Sequence, residues 1–233
     1  MPSIEISSPT GKIKFHYTIS TPSCADADKI DPEIPVLLFF HALAFHTVFH
    51  SQFSDPLLRK FNLVTFDLRW HGDTECDGVP EKYGQEEAAE DIIALITTLR
   101  LPPCHFVALD LGTMIALQIA VILPHQVLSL FIMSHVCLEE LMNSLQEAGV
   151  DVTMEIVANA PHYLCLDYAN DVNIMIYELV THSMTKESIP PTPTNVISPW
   201  DAILREYGWK PDRVNELDDD DLTVSFPTWV DNK

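Results

Sequence analysis

Glycine is scarce in this chain, with seven residues in 233, and none of them forms G-x-G-x-x-G or a P-loop. A glycine-rich cradle for nucleotide phosphates is therefore excluded. Basic residues are scarce as well: 13 Lys and Arg stand against 34 Asp and Glu, a formal charge of −21. A field of that sign repels nucleic-acid backbones and anionic membranes, so neither is expected as a partner. No apolar run is long or pure enough to cross a bilayer. The stretch MPSIEISSPTGKIKFHYT has no apolar segment behind a basic start, so no signal peptide is expected. Five cysteines (24, 76, 104, 137 and 165) are an odd number without C-x-x-C pairing. Reduced thiols and a cytoplasmic setting fit this better than a disulfide framework.

What the chain does have is apolar content, 47%, enough for one sizeable core. KIKFHYTIS alternates like a half-exposed strand, whereas IPVLLFFHAL is a continuous apolar run, as in a strand buried on both faces of a parallel sheet. FNLVTFDLRWHGDTE reads as a further strand ending at Asp67. GQEEAAEDIIALITTLRL has acidic residues in its first turn, followed by Ala88, Ile92, Leu95, Ile96 and Leu99 at helical spacing. Strand CHFVAL, helix GTMIALQIAVILP and strand VLSLFIMSH come next. The pattern goes on with helix LEELMNSLQEAG, strand VDVTMEIVA, the loop NAPHYLCLDYAN and helix DVNIMIYELVTHSM. Such alternation predicts an α/β fold with a doubly wound, mostly parallel sheet. The core is expected over 1–187, a proline-rich strap with a short helix over 188–210, and an acidic, disordered tail over 211–233. ELDDDDL, at 216–222, lacks the spaced ligands and central glycine of a calcium loop and reads as solvated.

FVALDLGTMIAL, residues 106–117, is the most informative stretch. A strand turns abruptly into a helix, with Ala108 and Gly112 as small residues two before and two after Asp110. That is the outline of a nucleophile elbow, G-x-S-x-G, with Asp110 in the serine position. Together with LLFFHAL, FNLVTFDLRWHG and GVDVTMEIVANAPH, in that order, it resembles the α/β-hydrolase superfamily, in particular fungal single-domain members of the AB hydrolase-1 type. The similarity spans about residues 12–210. Asp67, Arg69, His71 and Gly72 match the D-x-R-x-H-G loop, and His41-Ala42 takes the place of the oxyanion-loop His-Gly. His162, after NAP, falls where the catalytic histidine belongs. The chain departs from the pattern between MSH and VCLEELMNSLQEAG, where the cap and the seventh strand, with its catalytic acid, are missing. The fold expected is thus an incomplete, capless α/β-hydrolase fold.

The resemblance implies a hydrolase with a carboxylate nucleophile, as in epoxide hydrolases and haloalkane dehalogenases, in which an alkyl-enzyme ester forms on the Asp and His activates the water that cleaves it. Here Asp110 would be the nucleophile and His162 the base, with a small apolar, epoxide-like electrophile as substrate. Glu139 is the candidate acid that orients His162, although Glu139 and Glu140 as two solvated glutamates in the first turn of a helix is the better-supported reading. The backbone N–H groups of Leu43 and Leu111 are the candidate oxyanion donors. A seryl mechanism is excluded, since Asp110 has no hydroxyl and Thr113 lies beyond the turn. Two alternatives stay open: a non-catalytic protein that binds a small molecule or acts through contacts, and an inactive truncated product. His41, His46 and His50 sit in one loop without a neighbouring carboxylate in sequence, so no metal is expected, and no cofactor. His71 is expected to brace its loop, and Met114, Ile115, Leu117, Ile119 and Ile122 to form the core face of their helix.

Overall fold

Three consecutive runs whose every residue is buried, Val36–Phe40, Asn62–Phe66 and Cys104–Leu109, form the centre of the molecule. The computed structural model describes residues 2–41, 46–133, 143, 146–147, 153 and 163–208. Met1–Trp200 forms one compact unit, and a second unit, Asp201–Lys233, begins with a short helix at Asp201–Glu206.

In chain order the strands are β1 (Ser3–Ser8), β2 (Gly11–Ser20), β3 (Val36–Phe40), β4 (Asn62–Phe66), β5 (Glu75–Cys76), β6 (Cys104–Leu109) and β7 (Val127–Met133). The helices are α1 (His50–Phe53), α2 (Gln85–Leu99), α3 (Leu111–Ile122), α4 (Leu164–Asp167), α5 (Ala169–Thr181) and α6 (Asp201–Glu206). The sheet runs β1-β2-β4-β3-β6-β7, with β5 added on β2. β4, β3, β6 and β7 are parallel, and β1 and β2 are antiparallel additions at one end. Strand order reverses at β3, and in sheets of this kind the crevice outside the C-terminal strand ends at such a reversal is where ligands bind. His41 follows β3 there, and Asp110 follows β6.

Alternation along the central strands distributes side chains between two layers. Val36, Leu38 and Phe40 of β3 join Phe106 and Ala108 of β6 in the core shared with Ala89, Ile92 and Ile96 of α2 and with Ile115, Ala116 and Ile119 of α3. Phe39 points to the other face, its ring 5.0 Å from Phe49 and 5.3 Å from Phe53. α2 begins where predicted: Glu87 accepts the Gly84 N–H at 2.9 Å, and Glu86 and Glu87 lie at the positive end of the helix dipole.

Two expectations need correction. β2 is not half-exposed along its length, because Phe15–Ser20 are all buried between β4 and the β1 and β5 partners. On α3, Ile115 and Ile119 are buried, but Met114 and Ile122 are exposed. Gly112, Ile115, Ala116 and Ile119 make up the face toward the sheet, and the stripe at 111, 114, 121 and 122 points away from it. The predicted helix LEELMNSLQEAG and strand VDVTMEIVA fall almost wholly outside the described residues.

Candidate active site

β6 ends at Leu109, and the chain reverses into α3 through a single residue, Asp110, with φ 45° and ψ −109°. Residues other than glycine reach this region only under strain of about 1–3 kcal/mol, held by their surroundings. Here the Asp110 N–H is tied to the Met133 carbonyl (3.1 Å), and the Asp110 carbonyl accepts the Thr113 N–H (2.9 Å). Gly112 is the second requirement. A Cβ at that position would lie 2.5 Å from the Phe40 carbonyl oxygen, 2.7 Å from the Phe40 Cβ and 2.8 Å from the His41 carbonyl oxygen. Only glycine lets the first turn of α3 pass this close to β3. Asp110 is half-buried at the rim, and Leu111 beside it is 39% exposed. As the first residue of α3, Leu111 has an N–H without an intrahelical acceptor. Thr113 is buried on the sheet face of α3, away from the rim.

Of the predicted site residues, Asp110 and Leu111 are described, and Leu43, Glu139 and His162 lie outside the described residues. The chain next to His162 is informative. Cys165, in α4, is fully buried, and its thiol is pushed up to about 12, chiefly by burial and in part by the negative charges of Asp110 and Asp167. Cys165 therefore lies within electrostatic reach of the Asp110 carboxylate.

A second cluster gathers around Asp67, the acid of the D-x-R-x-H-G loop. Asp67, fully buried after β4, accepts from His46 Nδ1 at 2.6 Å through Oδ1 and from His16 Nδ1 at 2.9 Å through Oδ2. The backbone N–H groups of His46 (3.2 Å) and Asp73 (3.1 Å) complete its coordination. The sequence reading that left the loop histidines without a carboxylate is corrected here: the fold brings Asp67 to His46. Burial alone would raise the Asp67 pKa, but the bonds from His16 and His46 outweigh it and hold the carboxyl well below the usual carboxylate range. His16, His46 and Asp67 are metal-ligating residue types with donor atoms within 4.8 Å of one another. Each Asp67 oxygen already takes two N–H donors, however, and 2.6–2.9 Å is the length of charge-assisted hydrogen bonds. The cluster thus braces the loops after β3 and β4. Gly72 makes room for it, since a Cβ there would overlap the Asp67 carboxylate at 2.1 Å. Within the same motif Arg69 Nε meets Asp91 Oδ2 at 3.0 Å, and His71 Nδ1 meets the Arg69 carbonyl at 2.9 Å. Nothing in the sequence marks His16 or Asp91 as partners of the motif, because they lie 51 and 22 residues from Asp67 and Arg69.

Comparison with known proteins adds the following. A family model described as alpha/beta hydrolase fold matches residues 35–164. The chain is 27% identical over 132 residues to a protein named as a carbamate hydrolase, RutD, of Agrobacterium fabrum, covering 53% of this chain and 50% of that one. It is 26% identical over 102 residues to the RutD of Stutzerimonas stutzeri, covering 44% and 38%. The chain thus spans half or less of the length of these curated relatives. Among solved structures, a predicted CIB-like hydrolase from Thermoplasma acidophilum superposes with a TM-score of 0.59 at 12% identity, over 78% of this chain and 98% of that one. Similarity at that identity speaks to the fold.

Proposed function

Because the chain belongs to the α/β-hydrolase fold family, we propose that it is a hydrolase with Asp110 as nucleophile and His162 as general base, acting on a small apolar electrophile of the epoxide class. The observation that carries this reading is the strained turn at Asp110, held at the C-terminal end of β6 by the approach of Gly112 to β3. A backbone conformation that costs free energy and presents a carboxylate at the rim calls for a use of that carboxylate. The electrostatic link between Asp110 and Cys165, three residues past His162, supports the pairing.

The chemistry follows from the residues. A carboxylate is ionised in neutral water and attacks without a base. One Asp110 oxygen bonds to an epoxide carbon, the ring C–O bond breaks, and the released alkoxide takes a proton from solvent water, leaving hydroxide. His162 then removes a proton from water, and the hydroxide adds to the carbonyl carbon of the Asp110 ester. The N–H groups of Leu111 and Leu43 hold the resulting oxyanion, and Glu139 orients the His162 ring. Collapse breaks the ester C–O bond, the leaving alkoxide takes the proton back from His162 to give the diol, and the carboxylic acid formed on Asp110 gives its proton to the hydroxide of the first step, so the sum is epoxide plus water to diol.

The test is mass spectrometry of the protein incubated with a panel of epoxides. The parent should turn over, while His162→Ala should accumulate an ester on the peptide containing Asp110. One turnover in ¹⁸O-water should leave one ¹⁸O in the Asp110 carboxylate. Absence of turnover, adduct and label in a protein that melts cooperatively would sink the mechanism in favour of a non-catalytic binding protein. A non-cooperative melt would favour an inactive truncated product.

A further inference from the structure

The end of the sheet opposite Asp110 holds a buried cation, Arg59, with no counter-charge among the described residues. Arg59 follows α1 in a short 3₁₀ turn, Leu58–Lys60, and is 2% exposed. Its Nη1 donates to the carbonyls of Ile197 (2.8 Å) and Phe53 (3.3 Å), and its Nη2 donates to the carbonyl of Thr21 (2.6 Å). Nε has no partner. No carboxylate lies within ion-pair distance of Arg59 among the described residues, although the chain carries 34 of them. Arg69, the other deeply buried arginine, has Asp91 at 3.0 Å. An isolated charge in a protein interior is costly, and three backbone carbonyls offset it only in part.

Arg59 is also on the wall of a cavity of about 410 Å³, shared with Ser23, Cys24, Thr194, Asn195 and Ile197. Ser23, Thr194 and Asn195 are exposed and offer hydroxyl and amide donors around a positive floor. Guanidinium recognises carboxylate and phosphate oxygens through parallel N–H bonds, and the unpartnered Nε lies on the edge of the fork that makes them. Burial lowers the Arg59 pKa, as it should for a cation short of a partner. The cavity is distinct from the Asp110 rim: Thr21 follows the end of β2 that pairs with the start of β4, whereas Asp110 follows the C-terminal end of β6.

We propose that the cavity over Arg59 is a binding site for a small oxyanion, a carboxylate or phosphate group, that supplies the missing counter-charge. Binding stabilises the folded state by mass action, so the readout is the melting temperature. The probes are inorganic phosphate and acetate, each titrated at constant ionic strength against sodium chloride. In the parent, at least one should raise the melting temperature saturably by a few degrees, and which one does so identifies the phosphate or the carboxylate source. Cys24→Asp places a carboxylate at the cavity beside Arg59 and should abolish the response. Cys24→Ser should keep it, which excludes a role for the thiol. Arg59→Met should also lose it if the variant folds. A flat titration for both probes in the parent, or an equal response in Cys24→Asp, would overturn the proposal.

Discussion

Replacing Gly112 with alanine sets two physical arguments against each other with opposite signs. Helix propensity favours alanine over glycine by about 1 kcal/mol, and the unfolded chain loses entropy as well, by about 0.4–1 kcal/mol. On those grounds Gly112→Ala should raise the melting temperature. The geometry says the reverse. The new Cβ would meet the Phe40 carbonyl oxygen at 2.5 Å, the Phe40 Cβ at 2.7 Å and the His41 carbonyl oxygen at 2.8 Å, all under the 3.0 Å that real Cβ atoms essentially never show. The Phe40 atoms are held in place because β3 is hydrogen-bonded on both sides, to β4 and to β6, and His41 follows directly on that strand. α3 would have to back away, loosening Ile115, Ala116 and Ile119 from the core they share with the sheet. Overpacking costs about 1–3 kcal/mol, and three contacts under 3.0 Å, two of them to backbone oxygens, put this site at the upper end, leaving a net loss of about 1–1.6 kcal/mol after the alanine gains. At about 2–4 °C per kcal/mol for a chain of this size, the net effect is a fall of about 2–6 °C. Thermal melts followed by circular dichroism, with urea titrations to check that the slope m is unchanged, measure it. A melting temperature equal to or above that of the parent would refute the close approach of α3 to β3.

Three further outcomes follow from the same structure. Gly72→Ala should be more damaging than Gly112→Ala, because its Cβ would overlap the Asp67 carboxylate and Gly72 also has φ 50°; urea midpoints compare the two. The folded-state pKa of Asp67 is depressed, so its contribution to stability is present above the unfolded value of about 3.9 and is lost as pH falls below it. Asp67→Asn should therefore cost about 3 kcal/mol at pH 7 and flatten the loss of stability as pH falls below about 4, and a variant with the parent's acid profile would contradict the assignment. Burial pushes the Cys104 and Cys165 thiols up to about 12, leaving almost no thiolate at pH 8. Iodoacetamide should label exposed Cys24 in the native protein and reach Cys104 and Cys165 only after denaturation, as peptide mapping would show.

The sequence announces those parts of the fold in which a local pattern coincides with the tertiary outcome. VLLFF and CHFVAL read as buried strands because they are buried on both faces, and α2 reads as a helix because its apolar stripe and its acidic first turn agree. β1 does not announce itself: SIEISS is mostly polar, and Ile6 is its only buried residue, so its existence depends on pairing with β2. Arg59 is hidden for a related reason. In DPLLRKFN it looks like a surface base beside Lys60, and only the carbonyls of Thr21 and Ile197, 38 and 138 residues away, draw it inside. The Asp67 brace is half legible, since D-x-R-x-H-G marks the acid but not His16.

Local rules fail most tellingly at two residues. Outside glycine, positive φ occurs at Trp70 (63°), Arg100 (54°) and Asp110 (45°) among the described residues. Arg100 is the ordinary left-handed cap of α2, with its N–H on the Ile96 and Thr97 carbonyls. A tryptophan and an aspartate in such conformations have no comparable excuse. Both follow the C-terminal ends of parallel strands, β4 and β6, which flank β3 where the strand order reverses. Sequences consistent with their fold concentrate violations where function needs them. The strain therefore points to the same rim as the topology does, and it does so without reference to any motif.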